Sequence, residues 1–227
     1  MRLAVVGCGA VGRSVVDLAA EYGHEVVAVA DSRSAAVDPA GLDGAAVLDR
    51  KEHKGVVGDD DPDDALAAEY DVLVEVTPTT LGDAEPGFSH IARALDRDRH
   101  VVLANKGPVA ERYGDVRARE ADSAGIVLFE ATVGGAIPIL GTVADYGPER
   151  ISAARGVLNG TANFVLTRMA AEGLDYDHVL AEAQDMGVAE ADPSFDVEGT
   201  DAALKCVILA NVLACGEREL TLADAEV

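Results

Sequence analysis

The sequence predicts an α/β chain: a doubly wound parallel sheet followed by a second, smaller α+β region. Three observations carry this. Short apolar runs recur with amphipathic segments between them, as in "RLAVVG", "DVLVEVTP" and "HVVLANK". A glycine-rich turn joins the first run to the first amphipathic segment. After Glu130 the alternation stops, and helix-like segments follow one another.

In chain order, "RLAVVGCGAVGRSVVDLAAEYGHEVVAVADS" reads as strand, glycine turn, amphipathic helix to about Gly23 and a second strand closing at Asp31, which is one βαβ unit. Residues 71–78 read as a buried strand, "GFSHIARALDRD" as a helix, 100–106 as a strand, 108–124 as a helix and "GIVLFE" (125–130) as a last strand. Strands alternating with helices imply a parallel sheet covered on both faces. Beyond it, "ATVGGAIPILGTV" is glycine-rich and then helix-like, "ISAARGVLNG" reads as a strand, and helices are expected near 161–172, 176–186 and 199–214. The division falls near 130, giving regions 1–130 and 131–227.

The 227 residues carry 41 Asp plus Glu against 18 Lys plus Arg, a net charge of −23 that disfavours nucleic acid and anionic membranes as partners. It resembles the surface of proteins adapted to high salt. "DDDPDD" (59–64) reads as a solvated loop. Cys8, Cys206 and Cys215 form neither a CxxC pair nor a His/Cys cluster, so a disulfide framework and a zinc site are not expected. With no leader pattern at "MRLAVVG" and no apolar run of membrane-spanning length, a cytoplasmic location is expected. Lysine is scarce: only Lys51, Lys54, Lys106 and Lys205 occur, and the first two share the charged stretch "DRKEHKG", where solvent exposure accounts for them.

Gly7, Gly9 and Gly12, with Val11 among them, form GxGxxG between the first strand and first helix. The first glycine permits the turn, the second admits a pyrophosphate to the backbone, and the third lets helix and strand pack closely, while the helix N-terminus offers unsatisfied N–H donors. In its βαβ setting this is a Rossmann-type dinucleotide signature. Asp31, closing the second strand, suits the ribose hydroxyls of NAD; Arg33 suits the extra phosphate of NADP, or is simply a solvated loop residue. The choice between NAD and NADP stays open.

Lys106 ends the strand "HVVLANK", beside Asn105, at the sheet edge where ligands bind; a strand-end lysine in water is the alternative. The stretch 187–205 holds Glu190, Asp192, Asp196, Glu198 and Asp201 before Lys205. Asp201 and Lys205 are spaced i,i+4, so they share a helical face. On the surface such a pair contributes only ~0.2–0.5 kcal/mol. At the head of the apolar segment "CVILANVLA" it is also what a tuned proton-transfer group requires, because burial and a nearby carboxylate act on a lysine in opposite directions. Cys206 and Cys215 are expected to be small buried residues of this helix rather than nucleophiles.

"GCGAVG", "VVLANKGPVA", "FEATVGGAIPIL", "GVLNGTANFVLTRM" and "AEAQDMGVAEADPSFDVEGTDAALK" together cover most of the chain, and in order and spacing they resemble homoserine dehydrogenase. The resemblance implies NAD(P)-linked interconversion of L-homoserine and L-aspartate 4-semialdehyde. It implies Lys205 and Lys106 at the reacting oxygen, with Lys205 the acid/base group and Asp201 orienting it. Glu190 would hold the substrate amino group, Gly160, Thr161 and Asp196 would line the substrate pocket, and Thr77, Pro78 and Asn105 would flank the nicotinamide. A sodium site would use backbone oxygens of Glu130, Val133, Gly135 and Ile137, and a homodimer would form through the second region. Val188 stands where the family often has tyrosine, and the C-terminus is short for the family.

Overall fold

The computed structural model describes residues 1–190, 192–216 and 218–226. It divides into two compact units, Met1–Gly135 and Ala136–Val227.

The first unit holds a six-stranded sheet. Its elements are β1 (Arg2–Val6), α1 (Ala10–Leu18), β2 (Glu25–Ala30), β3 (Ala35–Val37), α2 (Gly44–Lys54), α3 (Pro62–Ala67), β4 (Val72–Glu75), α4 (Gly87–Leu95), β5 (His100–Leu103), α5 (Gly107–Glu111), α6 (Tyr113–Ala121) and β6 (Val127–Leu128). The strand order is β3-β2-β1-β4-β5-β6. The chain therefore leaves β1 toward β2 and later returns to its other side as β4, where Val6 lies opposite Glu75. That reversal opens a crevice at the C-terminal ends of β1 and β4. Leu3, Val5, Val16, Val29, Val57 and Val74 fill one core cluster of this unit.

Several expectations for this unit need correction. The sheet is not wholly parallel, since β3 pairs antiparallel with β2 as an edge strand. The last strand is only Val127–Leu128, and Glu130–Thr132 turns into a 3-10 helix. The helix expected over 108–124 breaks at Arg112, whose φ of −138° is not helical. The sheet is also not covered throughout, for Val102 is 37% and Leu128 56% exposed.

The acidic stretch is a helix start rather than a loop. Asp61 accepts from Asp63 N–H and forms a capping box with Asp64, and Pro62 takes the first helical position, where its missing N–H costs nothing. A block of like charges is tolerated there because carboxylates at a helix N-terminus satisfy its free donors.

The second unit holds α7 (Ile139–Tyr146), α8 (Gly160–Glu172), α9 (Tyr176–Asp185), α10 (Ser194–Val197) and α11 (Thr200–Leu213), with a 3-10 turn at Pro148–Arg150 after α7 and another at Leu222–Asp224 after α11. Val165, Val179, Ala183 and Ala189 form a small core for α8 and α9. The strand expected at "ISAARGVLNG" is absent: 151–159 has no regular structure, and residues 152–157 are exposed. A strand is stable only against a partner, and among the described residues nothing pairs with this one. No helix of the described residues is long and apolar enough to cross a membrane.

Replacing the capping carboxylate, Asp61→Ala, is expected to lower stability by about 1 kcal/mol, measured by urea unfolding.

Candidate active site and glycine turn

The glycines of the turn are required for different reasons. Gly7 has φ +106°, and a Cβ there would lie 2.5 Å from the carbonyl oxygen of Val76 and 2.8 Å from Thr77 N, so the turn after β1 is pressed against the chain leaving β4. At Gly12 a Cβ would sit 1.8 Å from the Gly7 oxygen. Nothing on the chain requires a glycine at position 9. Its φ of −82° suits any residue, and a Cβ would meet no atom within 4 Å. Gly9 is the N-cap of α1 and supplies no side-chain cap. Its bare backbone leaves room at the helix N-terminus for an anion to reach the free N–H groups. Val11, 54% exposed, stands on the first turn of the same helix.

Asp31 is already engaged. Its Oδ1 accepts Arg33 N at 2.7 Å and Ser34 N at 2.8 Å, and its Oδ2 accepts Lys51 Nζ at 2.5 Å. Lys51 is therefore not the exposed loop residue the sequence suggests: it lies on α2, with 17% of its side chain exposed against 8% for Asp31. The charged stretch around it is helical because Asp43 caps its start and Gly55, in the left-handed region, closes its end. Burial opposes ionisation of Asp31, but the hydrogen bonds from Lys51, Arg33 and Ser34 outweigh it and hold the carboxyl below its ordinary range. The Arg33 guanidinium donates to the Gly55 carbonyl oxygen at 2.7 Å.

Beside the turn, a relay crosses the ends of β4 and β5. Gly107 N donates to Asn105 Oδ1 at 3.0 Å, Asn105 Nδ2 to Thr77 Oγ1 at 3.1 Å, and Thr77 Oγ1 to the carboxylate of Glu75. Glu75 is fully buried, with His90 Nδ1 3.4 Å from the same oxygen. Thr77 and Asn105 are thus joined by a hydrogen bond, and Pro78 follows Thr77 on the exposed rim. Lys106, half-buried, is the N-cap of α5, and its backbone N–H donates to Thr79 Oγ1 at 3.2 Å. Sequence reading missed Glu75, although an acid inside "DVLVEVTP" is itself a signal, since buried strands seldom hold one without a task.

The second unit gathers a separate polar cluster. Lys205 Nζ donates to Asp201 Oδ2 at 2.7 Å and to the Leu158 carbonyl oxygen at 2.7 Å. Asp201 is 5% exposed, and the Lys205 side chain 17%, so the surface-pair alternative does not describe them. Asn159, absent from the sequence expectations, donates to both Asp196 Oδ1 (2.7 Å) and Asp201 Oδ2 (2.8 Å). An Asn ahead of a Gly-Thr helix start signals a cap, but nothing in the spacing signals a bridge 42 residues away. Gly160 is exposed in the first turn of α8, and Thr161 donates to the Val188 carbonyl oxygen at 3.1 Å. Glu190 is exposed, its carbonyl oxygen accepting Gln184 Nε2 at 3.1 Å.

The cysteines depart from expectation. Cys206 and Cys215 are exposed, because Cys206 turns outward beside Lys205 and Cys215 lies past the end of α11 with φ +52°; Cys8 alone is buried. Among the described residues no three His, Cys, Asp or Glu side chains converge as a metal site. In "EATVGGAI", Val133 is buried, Gly135 has φ +59°, Ile137 is exposed, and the Glu130 carbonyl oxygen accepts Val133 N and Gly134 N, each at 3.1 Å.

A sequence profile described as homoserine dehydrogenase matches residues 138–227. One described as glutamate/leucine/phenylalanine/valine dehydrogenase matches 1–77. A homoserine dehydrogenase of Methanocaldococcus jannaschii is 39% identical over 230 residues, covering 93% of this chain and 68% of that one. The chain belongs to the homoserine dehydrogenase family. A crystal structure of a putative homoserine dehydrogenase from Archaeoglobus fulgidus matches all of this chain and 72% of its own, with TM-score 0.87 and 35% identity. A hyperthermophilic archaeal homoserine dehydrogenase in complex with NADPH matches 96% of this chain and 75% of its own, with TM-score 0.75 and 25% identity. Against longer members the share is smaller, 48% for the Bacillus subtilis enzyme.

Two outcomes test the site geometry. Gly12→Ala is expected to destabilise the fold by about 2–3 kcal/mol or more, while Gly9→Ala stays within about 0.5 kcal/mol of the parent by thermal or urea unfolding. The depressed Asp31 group adds stability that is complete above its unfolded pKa, about 3.9, and is lost as pH falls through its lower folded value. Lys51→Met removes part of that increment. Its deficit against the parent is therefore expected to be full at pH 7 and to narrow below about pH 3.9, as read from urea midpoints across pH.

Proposed function

We propose that this chain carries out the reaction of its family, NAD(P)-dependent interconversion of L-homoserine and L-aspartate 4-semialdehyde. The observation that carries this reading is the mostly buried Lys205 ammonium, held by one carboxylate and one backbone carbonyl at the start of α11. We further propose that the two regions, divided near residue 130, take separate tasks: the first binds the dinucleotide and the second the amino-acid substrate.

The residues present fit a dinucleotide, because Gly9 leaves open space at a helix N-terminus that the protein's own packing does not need. Gly7, Gly9, Val11 and Gly12 would hold its phosphates, Asp31 and Arg33 its ribose, and Thr77, Pro78, Asn105 and Lys106 its nicotinamide half. When bound, the dinucleotide would supply the hydride chemistry at C4 of homoserine and at the aldehyde carbon of the semialdehyde. The protein handles the proton. In oxidation, the amine form of Lys205 takes the C4 hydroxyl proton; in reduction, its ammonium polarises the aldehyde oxygen and protonates it as the hydride arrives. An ammonium has three N–H donors. Those to Leu158 and Asp201 aim it, and the third serves the substrate oxygen.

Glu190 is assigned to the substrate amino group, and Gly160, Thr161 and Asp196 to the surrounding pocket. A sodium ion would take backbone oxygens of Glu130, Val133, Gly135 and Ile137; hard cations favour such ligands, although the Glu130 oxygen would have to give up or share its two N–H partners. The assignments extend to a cytoplasmic homodimer formed through the second region.

The test is a steady-state assay of NAD+ and NADP+ reduction with homoserine and, as control, aspartate, over a range of salt. Homoserine-dependent turnover is expected. Lys205→Ala is expected to lower kcat by about a hundredfold or more while NADPH affinity, followed by fluorescence, stays within about twofold. Turnover unaltered in that variant would remove Lys205 from the chemistry. Binding of NADPH without any turnover would leave a nucleotide-binding module.

A further inference from the structure

Asn159 does more than start a helix. Its Oδ1 accepts Ala162 N at 2.7 Å, which caps α8. A cap needs nothing beyond that oxygen, and serine, threonine or aspartate would supply it equally well. An asparagine side chain brings two further N–H donors. Both are spent on carboxylates, at 2.7 Å to Asp196 Oδ1 and 2.8 Å to Asp201 Oδ2, in a residue only 7% exposed. A flipped amide would set its oxygen against two carboxylates and its donors against a backbone N–H, so the network itself fixes the orientation. The same Asp201 oxygen also receives Lys205 Nζ at 2.7 Å. The residue before Asn159, Leu158, supplies the other acceptor of that ammonium.

We propose that Asn159 is a positioning residue for the acid/base lysine: fixed by its cap to α8, its amide ties down Asp196 and Asp201 and, through Asp201, sets the place of the Lys205 ammonium. The proposal rests on the reading of Lys205 as the proton-handling group. Three segments distant in sequence, 158–159, 196 and 201–205, are locked by one neutral group. Two carboxylates converging on one spot repel each other, and the amide stands between them as a donor to both without adding a charge that would compete with Lys205 for Asp201. A lysine in that position would form its own ion pairs there; alanine would leave the carboxylates facing each other.

The test separates the cap from the bridge. Asn159→Ser and Asn159→Asp both keep a capping oxygen and lose the two donors, whereas Asn159→Ala loses all three contacts. In the full chain, Asn159→Ser is expected to lower the melting temperature less than Asn159→Ala does and to keep NADPH affinity near its parental value. Its kcat for homoserine is expected to fall at least about tenfold, or ~1.4 kcal/mol, with KM changed by less than about threefold. The second readout needs no activity. The chain has four lysines, at 51, 54, 106 and 205, so acetylation with an amine-reactive ester followed by peptide mass spectrometry reports each one. Labelling of Lys205 is expected to rise severalfold in Asn159→Ser, while Lys54 is unchanged.

Parental turnover together with parental Lys205 labelling in Asn159→Ser would overturn the proposal and leave Asn159 a helix cap. Should the parent chain fail to oxidise homoserine while Lys205 labelling still rises in the variants, the positioning role stands and the assigned reaction falls.

Discussion

An ammonium taken most of the way out of water needs oxygen atoms to replace its hydration, and that need shapes the second unit. Lys205 finds two, the Leu158 carbonyl and Asp201 Oδ2. Supplying them dictates much of the local backbone. The chain must pass residue 158 close to α11 with a carbonyl unspent on secondary structure, which is consistent with 151–159 being irregular. Asp201 must sit on the first turn of α11, four residues before the lysine, where the free N–H groups of a helix start also favour a carboxylate. Gly199, with φ +86° as the N-cap, lets the chain turn sharply from α10 into that helix. Burial of one charge thus fixes a loop, a turn and a helix start.

The first unit obeys a different constraint, close approach of backbone to backbone. β1 and β4 are neighbours, and the turn after one is packed on the exit from the other so tightly that residue 7 has no room for a Cβ, while α1 lies so close on that turn that residue 12 has none either. The relay from Gly107 through Asn105 and Thr77 to Glu75 runs in one direction, every donor pointing toward the buried carboxylate. A fully buried carboxyl group receiving such donors stiffens the loops after β4 and β5 together. Rigid loops at the ends of parallel strands position a ligand without having to be ordered when it binds.

The legible parts of the sequence were those in which one local rule decides the outcome. The βαβ opening, the glycine turn and the helices 160–172, 176–185 and 200–213 follow from periodicity, glycine placement and capping residues that act over four or five positions. What escaped depends on contacts across long separations. Lys51 looked solvated because nothing near it in sequence shows that Asp31, 20 residues earlier, lies within reach. Asn159 reads with the strand-like "ISAARGVLNG", and nothing near it in sequence points to its carboxylate partners, 37 and 42 residues away. The segment 151–159 has the composition of a strand, but pairing is a property of two segments, and composition reports on one.

The charge pattern joins the two units through a common logic. A net charge of −23 sets up a long-range field that opposes any anionic ligand. The remedy is local. Lys51 neutralises Asp31 where the second strand ends, so that this carboxylate carries its own counter-charge. Elsewhere acids do structural work at helix starts, as Asp43, Asp61 and Asp175 do, each accepting a backbone N–H. Salt screens charges separated by more than about 10 Å at 0.1 M but hardly touches hydrogen-bonded contacts under 3 Å. An acidic exterior with Lys51 and Lys205 each placed beside one carboxylate therefore keeps that local geometry as ionic strength changes, while the surface repulsion that opposes an anionic ligand is the part that salt relieves.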